Sequence, residues 1–298
     1  MISFSLHAPV FFLSKQDMTR WYRSIYMTIS LSILTSFGCG GALQNFNIVS
    51  DAQEIEMGRQ FSQEIEKELK LYEDPDVVQY IQDLGHRLAK LSKRSNITYY
   101  IKVVDTDVVN AFALPGGYLY VNRGLISTAE TESELAGVMG HEIGHVVGRH
   151  GAKALSRQYG LQIITGLVMG GNPGTTRQIA AQFAGIGGAL GMFHYSREAE
   201  READALAVEE LYEVGIDADG VAIFFEKLMA LHEREPGGLD ALFSTHPPSG
   251  ERVKNARAEI ALLPHKDNLQ KDSERFRRIK KTIAAVEKIG VGRPRVRR

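Results

Sequence analysis

The sequence predicts a mainly helical α+β protein with a small β-sheet next to one buried helix. Three observations predict this fold class: apolar residues recur mostly at helical spacing, β-prone runs occur between residues 97 and 122, and an apolar helical stretch contains His-Glu-Ile-Gly-His. A chain of 298 residues can bury a sizeable core, and a net charge of −1 predicts no nucleic acid partner. The single cysteine excludes an intramolecular disulfide and a cysteine-based metal cluster.

The N-terminal 39 residues have the pattern of a secretory leader. Arg20 and Arg23 precede an apolar run over residues 25–37, and Cys39 follows between glycines. The cysteine resembles a bacterial lipoprotein site, which predicts a periplasmic protein held to a membrane by a lipid anchor; an uncleaved anchor and ordinary secretion are the alternatives. The two glycines after Cys39 stand where inner-membrane lipoproteins carry an aspartate, so we expect the outer membrane.

Two amphipathic helices and three strands are predicted next. The first helix covers residues 51–71, and Pro75 opens the second, at about residues 76–92. Their inward faces are expected to hold Ile55, Met57, Phe61 and Ile65 in the first helix, and Val78, Ile81, Leu84 and Leu88 in the second. Residues 97–105, 110–114 and 118–122 are β-prone, and Pro115-Gly116-Gly117 joins the last two.

The helix that follows carries the residues with the clearest chemistry. On a helix, His141 and His145 lie one turn apart on the same face, where one zinc ion can bind both imidazoles. Glu142 projects beside them, positioned to take a proton from an attacking water. The neighbouring positions are apolar, so we expect these polar groups to be buried. Burial is costly unless they are paired with other polar groups or coordinate a ligand.

The ends of this helix and its glycines are also predicted. Thr131 and Glu134 can form a capping box at its start, and Gly151 is a candidate C-terminal cap. His150 is interpreted as a last-turn histidine or as a partner of the metal ligands. Close approach of another backbone or of the metal ligands is expected at Gly137, Gly140, Gly144 and Gly148.

An acidic helix from residue 196 to about residue 213 is the candidate supplier of a third ligand. Glu200 and Asp204 are one turn apart and share a face, although this spacing alone favours a site only modestly. Glu198 and Glu202 are expected to be solvated and paired with neighbouring arginines.

Two later segments are predicted from their apolar patterns. Residues 154–193 contain short apolar pieces that we interpret as helices packed near the site rather than as membrane spans. Near the C-terminus, an amphipathic stripe is formed by Phe276, Ile279, Ile283, Val286 and Ile289, and a basic tail follows it. A docked helix with a solvated end is expected here, with contact to a membrane surface as the alternative.

Four segments together resemble a known family. They are His-Glu-Ile-Gly-His-Val from residue 141, Ser-Arg-Glu-Ala-Glu-Arg-Glu-Ala-Asp-Ala from residue 196, residues 110–125, and residues 244–252 around a His-Pro-Pro turn. In this order they resemble the zinc metallopeptidase family of the HtpX, Oma and BepA proteins and the CAAX prenyl proteases. The similarity covers about residues 50–260 and is closest to the periplasmic BepA-like branch, without its tetratricopeptide repeats.

The resemblance implies a zincin-like (gluzincin) fold and one Zn²⁺ per chain. Glu200 would be the third zinc ligand, and Asp204 would orient a zinc-bound histidine. A further oxyanion donor is expected, with His246, Tyr195 and Arg252 as candidates. His246 could instead cover the open metal position or cap a helix end, and Arg252 could bind helix carbonyls or a carboxylate near the site.

The strand before the hairpin turn is the expected substrate-binding element. In zinc peptidases of this shape, an edge strand beside the zinc helix pairs with an extended substrate. This role would fall on Asn110, Ala111, Phe112 and Ala113, although a hairpin that serves only the core is an equally acceptable interpretation.

Three functional classes follow from these predictions. The first is a zinc endopeptidase of the bacterial envelope that hydrolyses unfolded or misassembled envelope proteins. The second is a chaperone or assembly factor for outer-membrane proteins in which proteolysis is secondary or silenced, and the third is a small-substrate zinc hydrolase. The expected organisation is a leader over residues 1–39, a metallopeptidase domain over residues 50–262, and a helix with a basic tail over residues 263–298; the sequence does not indicate an oligomeric state.

Overall fold

The computed structural model describes residues 47–168, 195–234, 239–247 and 249–291. These residues all belong to one compact unit that starts at Asn47. The predicted leader with Cys39, the apolar segment after residue 168 and the basic tail lie outside the described residues. Among the residues that are described, no helix combines the length and apolarity needed to cross a bilayer.

The first helix, α1 (Asp51–Ile65), is capped in both directions, because the side chains of Ser50 and Gln53 each accept the backbone N–H of the other. It ends at Ile65, six residues before the predicted end. The chain there turns to pair with a strand, and the Tyr72 N–H donates to the carbonyl oxygen of Val103 at 2.9 Å. The prediction that Ile55 faces inward is wrong, since it is 38% exposed and Glu54 occupies the buried face.

The second helix, α2 (Pro75–Leu91), confirms the prediction, with Asp74 as N-cap and Pro75 in the first turn. Three strands follow: β1 (Tyr100–Val104), β2 (Ala111–Leu114) and β3 (Tyr118–Asn122). They form one mixed sheet in the order β1-β3-β2, with β1 parallel and β2 antiparallel to β3. Gly116 and Gly117, at φ 76° and 96°, make the tight turn of the predicted hairpin.

After the short helix α3 (Arg123–Thr128), the chain enters the central helix, α4 (Glu132–Val147). Thr131 caps it by accepting the N–H of Glu134, but the predicted reciprocal bond is absent from the described contacts. The Glu134 carboxylate instead accepts the N–H of Glu130 and pairs with Lys227 at 2.6 Å. The cap at Gly151 is also wrong: Gly148 is the C-cap, and the next helix has already begun by residue 151.

The remaining helices surround α4. They are α5 (His150–Val168), α6 (Arg197–Glu213), α7 (Asp219–Arg234), α8 (Asp240–Thr245), α9 (Gly250–Leu262) and α10 (Glu274–Val291). Glycines let two of them pack directly on α4: a Cβ at Gly144 would lie 2.8 Å from the Ala203 oxygen of α6, and one at Gly137 would lie 2.9 Å from the Val221 nitrogen of α7. The predicted close approach of another backbone is therefore confirmed at Gly137 and Gly144, whereas the atoms nearest to Gly148 belong to the side chain of His150.

The C-terminal helix α10 confirms most of its predicted stripe. Phe276, Ile279 and Ile283 are buried in the same core as α2 and α4. Val286 is 46% exposed, so the prediction is wrong at this position, where the helix has passed the end of the core. The side chain of Ile289 lies outside the described residues.

Candidate metal centre

The two histidines of α4 meet at their Nε2 atoms, which are 3.0 Å apart in the buried interior. Glu200, in the first turns of α6, approaches both of them: its Oε1 lies 3.4 Å from Nε2 of His145, and its Oε2 lies 3.4 Å from Nε2 of His141. His246 completes the cluster. One donor atom from each of these four buried residues lies within 4.8 Å of the others, a group that can hold a metal ion.

The direct backbone packing of α6 on α4 brings Glu200 to this position. Ser196 caps α6 by accepting the N–H of Ala199, so that the helix starts just before the cluster. Burial opposes ionisation of Glu200, but the adjacent His246, His141 and His145 outweigh it and hold the pKa of Glu200 well below its ordinary value. The carboxylate is therefore available as a negatively charged donor.

His246 lies directly after α8 and is followed by Pro247. Its Nδ1 is 3.2 Å from Nε2 of His141 and 3.1 Å from Oε1 of Glu200. Its backbone N–H is held by the Leu242 carbonyl oxygen at 2.9 Å. His246 is thus the C-cap residue of α8 through its backbone, while its side chain lies among the donors, where it could cover the open metal position.

Glu142 is buried beside the cluster without being one of its four donors. Burial raises the pKa of Glu142, while the nearby His246 and His141 and a hydrogen bond with the Ala113 backbone act in the opposite direction. Its Oε1 lies 3.3 Å from Nε2 of His246 and makes no hydrogen bond of suitable geometry with the described residues. This carboxylate thus lies between the donors and strand β2.

Asp204 and Arg252 form the support behind His141. Oδ1 of Asp204 lies 2.8 Å from Nδ1 of His141, and the guanidinium of Arg252 binds both Asp204 oxygens at 2.7 and 2.8 Å. The third nitrogen of this guanidinium, Nη1, lies 2.8 Å from Oε2 of Glu200. Burial opposes protonation of His141, but the two carboxylates outweigh it and raise its pKa to about 9; the same negative surroundings favour a metal cation.

His145 has a different environment from that of His141. Its ring stacks on Tyr195 with centroids 3.9 Å apart, and burial lowers its pKa well below the ordinary value. Its Nδ1 lies 2.8 Å from Nδ1 of His150, whose Nε2 lies 3.2 Å from Oε2 of Glu202. The expectation that Glu202 pairs only with neighbouring arginines is wrong, because the turn before α5 brings His150 to it.

The four residues predicted to bind substrate lie at and before strand β2, beside α4. Among the described strands β2 pairs only with β3, so its other edge faces away from the sheet. The side chains of Asn110, Ala111, Phe112 and Ala113 are buried, and Phe112 stacks on Tyr120. Oδ1 of Asn110 has no hydrogen-bond partner among the described residues.

Helix α4 carries two histidines and a glutamate, and a second helix adds a carboxylate beside them. This arrangement is typical of metallopeptidases, so the class of the protein is a helical domain of the metallopeptidase type. Comparison with known proteins agrees. Residues 75–260 match the model of peptidase family M48. The chain therefore belongs to peptidase family M48.

Several curated relatives are similar to this chain. The putative beta-barrel assembly-enhancing protease of Vibrio cholerae is 31% identical over 72% of the chain and 47% of its own length. The beta-barrel assembly-enhancing protease of Escherichia coli K12 is 30% identical over 70% of the chain and 44% of its own length. Metalloprotease LoiP of the same organism is 30% identical over 74% of the chain and 85% of its own length. The chain thus matches less than half of the first two relatives.

Proposed function

We propose that this protein is a zinc-dependent endopeptidase of the bacterial cell envelope with a zincin-like, gluzincin-type site. The observation that carries the proposal is the buried set of His141, His145 and Glu200, with Glu142 directly beside it. Two imidazoles and one carboxylate are the donors that hydrolytic zinc sites use. The fit is supported by the depressed pKa of Glu200, which keeps this donor anionic.

The chain's own residues would then perform distinct tasks. When bound, zinc acidifies water and polarises a carbonyl group. Glu142 accepts the proton of the attacking water and returns it to the leaving nitrogen, a role that suits a carboxylate whose pKa is raised by burial. Asp204 orients His141. Arg252 forms ion pairs with Asp204 and Glu200 and so compensates part of the negative charge of these two buried carboxylates.

His246 is proposed to cover the metal position rather than to act as the oxyanion donor. Its Nδ1 lies among the other donors, whereas its Nε2 faces Glu142 at 3.3 Å. In this arrangement a substrate reaches the site only when the segment from α8 to Pro247 withdraws. The peptidase would therefore be largely inactive in the described conformation.

Unfolded or misassembled envelope proteins are the proposed substrates. An extended chain can add to the outer edge of β2 over residues 110–113, and main-chain pairing of this kind accepts many sequences. A protein anchored at the outer membrane through a lipid on Cys39 would encounter such substrates in the periplasm. Mass spectrometry of the mature N-terminus tests the anchor, which is excluded by an unmodified residue upstream of Cys39.

A second candidate function is assembly assistance for outer-membrane proteins, with proteolysis secondary. The names of the beta-barrel assembly-enhancing relatives and the covering position of His246 favour it. The two functions are separated in cells that lack the protein, by supplying Glu142→Gln or the unchanged chain. Full restoration of envelope function by Glu142→Gln would support assembly assistance, and no restoration would support proteolysis.

The direct test of the proposed activity uses the purified protein and an unfolded casein-type substrate. We expect cleavage that a chelator abolishes and that zinc restores. Because His246 covers the site, the assay includes His246→Ala. If neither the unchanged chain nor His246→Ala cleaves any unfolded substrate with zinc present, the endopeptidase proposal is wrong.

A further inference from the structure

The two ring nitrogens of His145 lie in different surroundings. Its Nε2 points into the donor cluster, 3.0 Å from Nε2 of His141 and 3.4 Å from Glu200. Its Nδ1 points away from the cluster and lies 2.8 Å from Nδ1 of His150. An imidazole that binds a cation through Nε2 carries its proton on Nδ1, so His145 donates and His150 accepts in this contact.

That assignment determines the remaining proton as well. Since Nδ1 of His150 accepts, its proton is on Nε2, which lies 3.2 Å from Oε2 of Glu202. The carboxylate accepts this hydrogen, so that each contact in the chain from His145 through His150 to Glu202 has one donor and one acceptor. His141 is held differently, by direct contact of its Nδ1 with Asp204 at 2.8 Å.

The backbone turn between α4 and α5 places His150 next to His145. Arg149 adopts φ 54°, a left-handed conformation that turns the chain sharply between the two helices. Its guanidinium is anchored by Glu54 at 2.7 Å and by the Val49 carbonyl oxygen at 2.6 Å. Gly148 leaves room for the ring, because a Cβ there would lie 2.5 Å from Nε2 of His150.

We propose that His150 and Glu202 are positioning residues that fix the orientation and tautomer of His145 as a metal ligand. The inference rests on the proposed zinc site and adds to it a support for the second histidine. Such partners behind a metal-binding histidine orient the ring and raise its basicity, and their loss weakens metal binding. Tyr195, stacked on the same ring, restricts its rotation further.

The test measures zinc affinity by competition with a chromophoric chelator, and ligand geometry from the visible spectrum of the Co²⁺-loaded protein. His150→Leu removes the acceptor, so we expect the zinc dissociation constant to rise about 10- to 100-fold and the Co²⁺ spectrum to change. His150→Asn places an amide oxygen near the position of Nδ1 and should largely restore the affinity. Glu202→Ala should weaken zinc binding less than His150→Leu.

Glu198 provides a matched control on the same helix. Its side chain is 50% exposed, against 51% for Glu202, and it forms an ion pair with Arg201 at 3.7 Å rather than with a histidine of the metal centre. Glu198→Ala should bind zinc as the unchanged chain does. Both glutamates are half-exposed, so Glu202→Ala and Glu198→Ala should both fold. Comparing their zinc affinities tests the role of the contact between His150 and Glu202 even if His150→Leu does not fold.

The outcomes separate this inference from the proposed function. If the unchanged chain binds zinc and Glu202→Ala and folded His150→Leu bind it equally tightly, the positioning role is wrong while the zinc site stands. The role is also wrong if His150→Asn loses as much affinity as His150→Leu, since packing would then be the cause. If the unchanged chain binds no zinc, the proposed function fails and this inference fails with it.

Discussion

Oε1 of Glu142 lies 3.3 Å from Nε2 of His246, in the buried centre of the protein. The proposed proton acceptor is thus covered by a histidine from a different part of the chain. Replacing these two residues has opposite expected effects, because Glu142 is proposed to perform the chemistry and His246 to limit access to it.

Glu142→Gln should abolish peptidase activity without removing the metal. The amide has nearly the same shape but cannot accept the proton, and loss of a general base typically lowers kcat by about 10²- to 10⁴-fold. Glu142 is not one of the four clustered donors, so the zinc content by elemental analysis should be unchanged. A Glu142→Gln protein with normal zinc content and normal peptidase activity would contradict the assignment of the base.

His246→Ala should increase peptidase activity, because it removes the side chain that covers the metal position. We expect a higher kcat/KM on an unfolded protein substrate, measured under conditions where both proteins are loaded with zinc. The control is His265→Ala, since His265 is a surface histidine paired with Asp267. A fall in activity with His246→Ala, but not with the control, would instead support the role of oxyanion donor.

Glu54→Gln should destabilise the fold although it lies outside the metal centre. The buried Glu54 carboxylate binds Arg94 at 2.8 Å and Arg149 at 2.7 Å, and Arg94 also binds the Val146 carbonyl oxygen at the end of α4. Removal of the charge leaves two arginines without their main partner, which typically costs about 3–5 kcal/mol when the pair is buried.

Denaturant unfolding measures this effect. Glu56→Gln is the matched control, because Glu56 lies on the same helix in an exposed pair with Arg59 and should change the free energy of unfolding very little. Equal effects of the two substitutions would show that the buried cluster does not stabilise the fold.

The metal helix could be predicted from the sequence because its spacing is local. His141, Glu142 and His145 lie within five consecutive residues of one helix, so the helical period alone brings them together. Glu200 needed the resemblance to the family, since the glycines of α4 predicted a close approach but not which helix would make it.

Other features could not be predicted because they depend on how the chain turns. The sequence allowed His150 to be a partner of the metal ligands, but which ligand it contacts depends on the left-handed turn at Arg149, a conformation for which a non-glycine residue gives no sequence signal. The prediction that Ile55 faces inward was wrong for a different reason. Helical spacing favours any apolar residue near the face, whereas the structure uses the buried position for Glu54 and its two arginines.

Glu210 should make the stability of the protein fall as the pH rises. The carboxyl group is buried on α6, and neither of its oxygens has a hydrogen-bond partner among the described residues. Burial, with a smaller contribution from Glu209, raises the pKa of Glu210 well above its ordinary value of 4.5. The folded state therefore keeps a proton that the unfolded state has released.

The sign of the effect follows from this difference in bound protons. Below pH 4.5 both states are protonated and Glu210 adds no pH dependence. Above it, the unfolded state binds fewer protons than the folded state, so the free energy of unfolding falls by up to about 1.4 kcal/mol per pH unit until the folded pKa is reached. Glu210→Gln has no proton to lose and should lack this contribution.

The measurement compares the free energy of unfolding of Glu210→Gln with that of the unchanged chain at several pH values between 4 and 9, the range over which a buried carboxyl of about this kind titrates. The difference between the two should grow in favour of the variant as the pH rises. Glu209→Gln is the control, because Glu209 is exposed and paired with Lys93. It makes only the smaller contribution to the raised pKa of Glu210, so its substitution should leave most of the slope in place. Parallel pH profiles for Glu210→Gln and the unchanged chain would mean that Glu210 ionises in the folded protein much as it does in water.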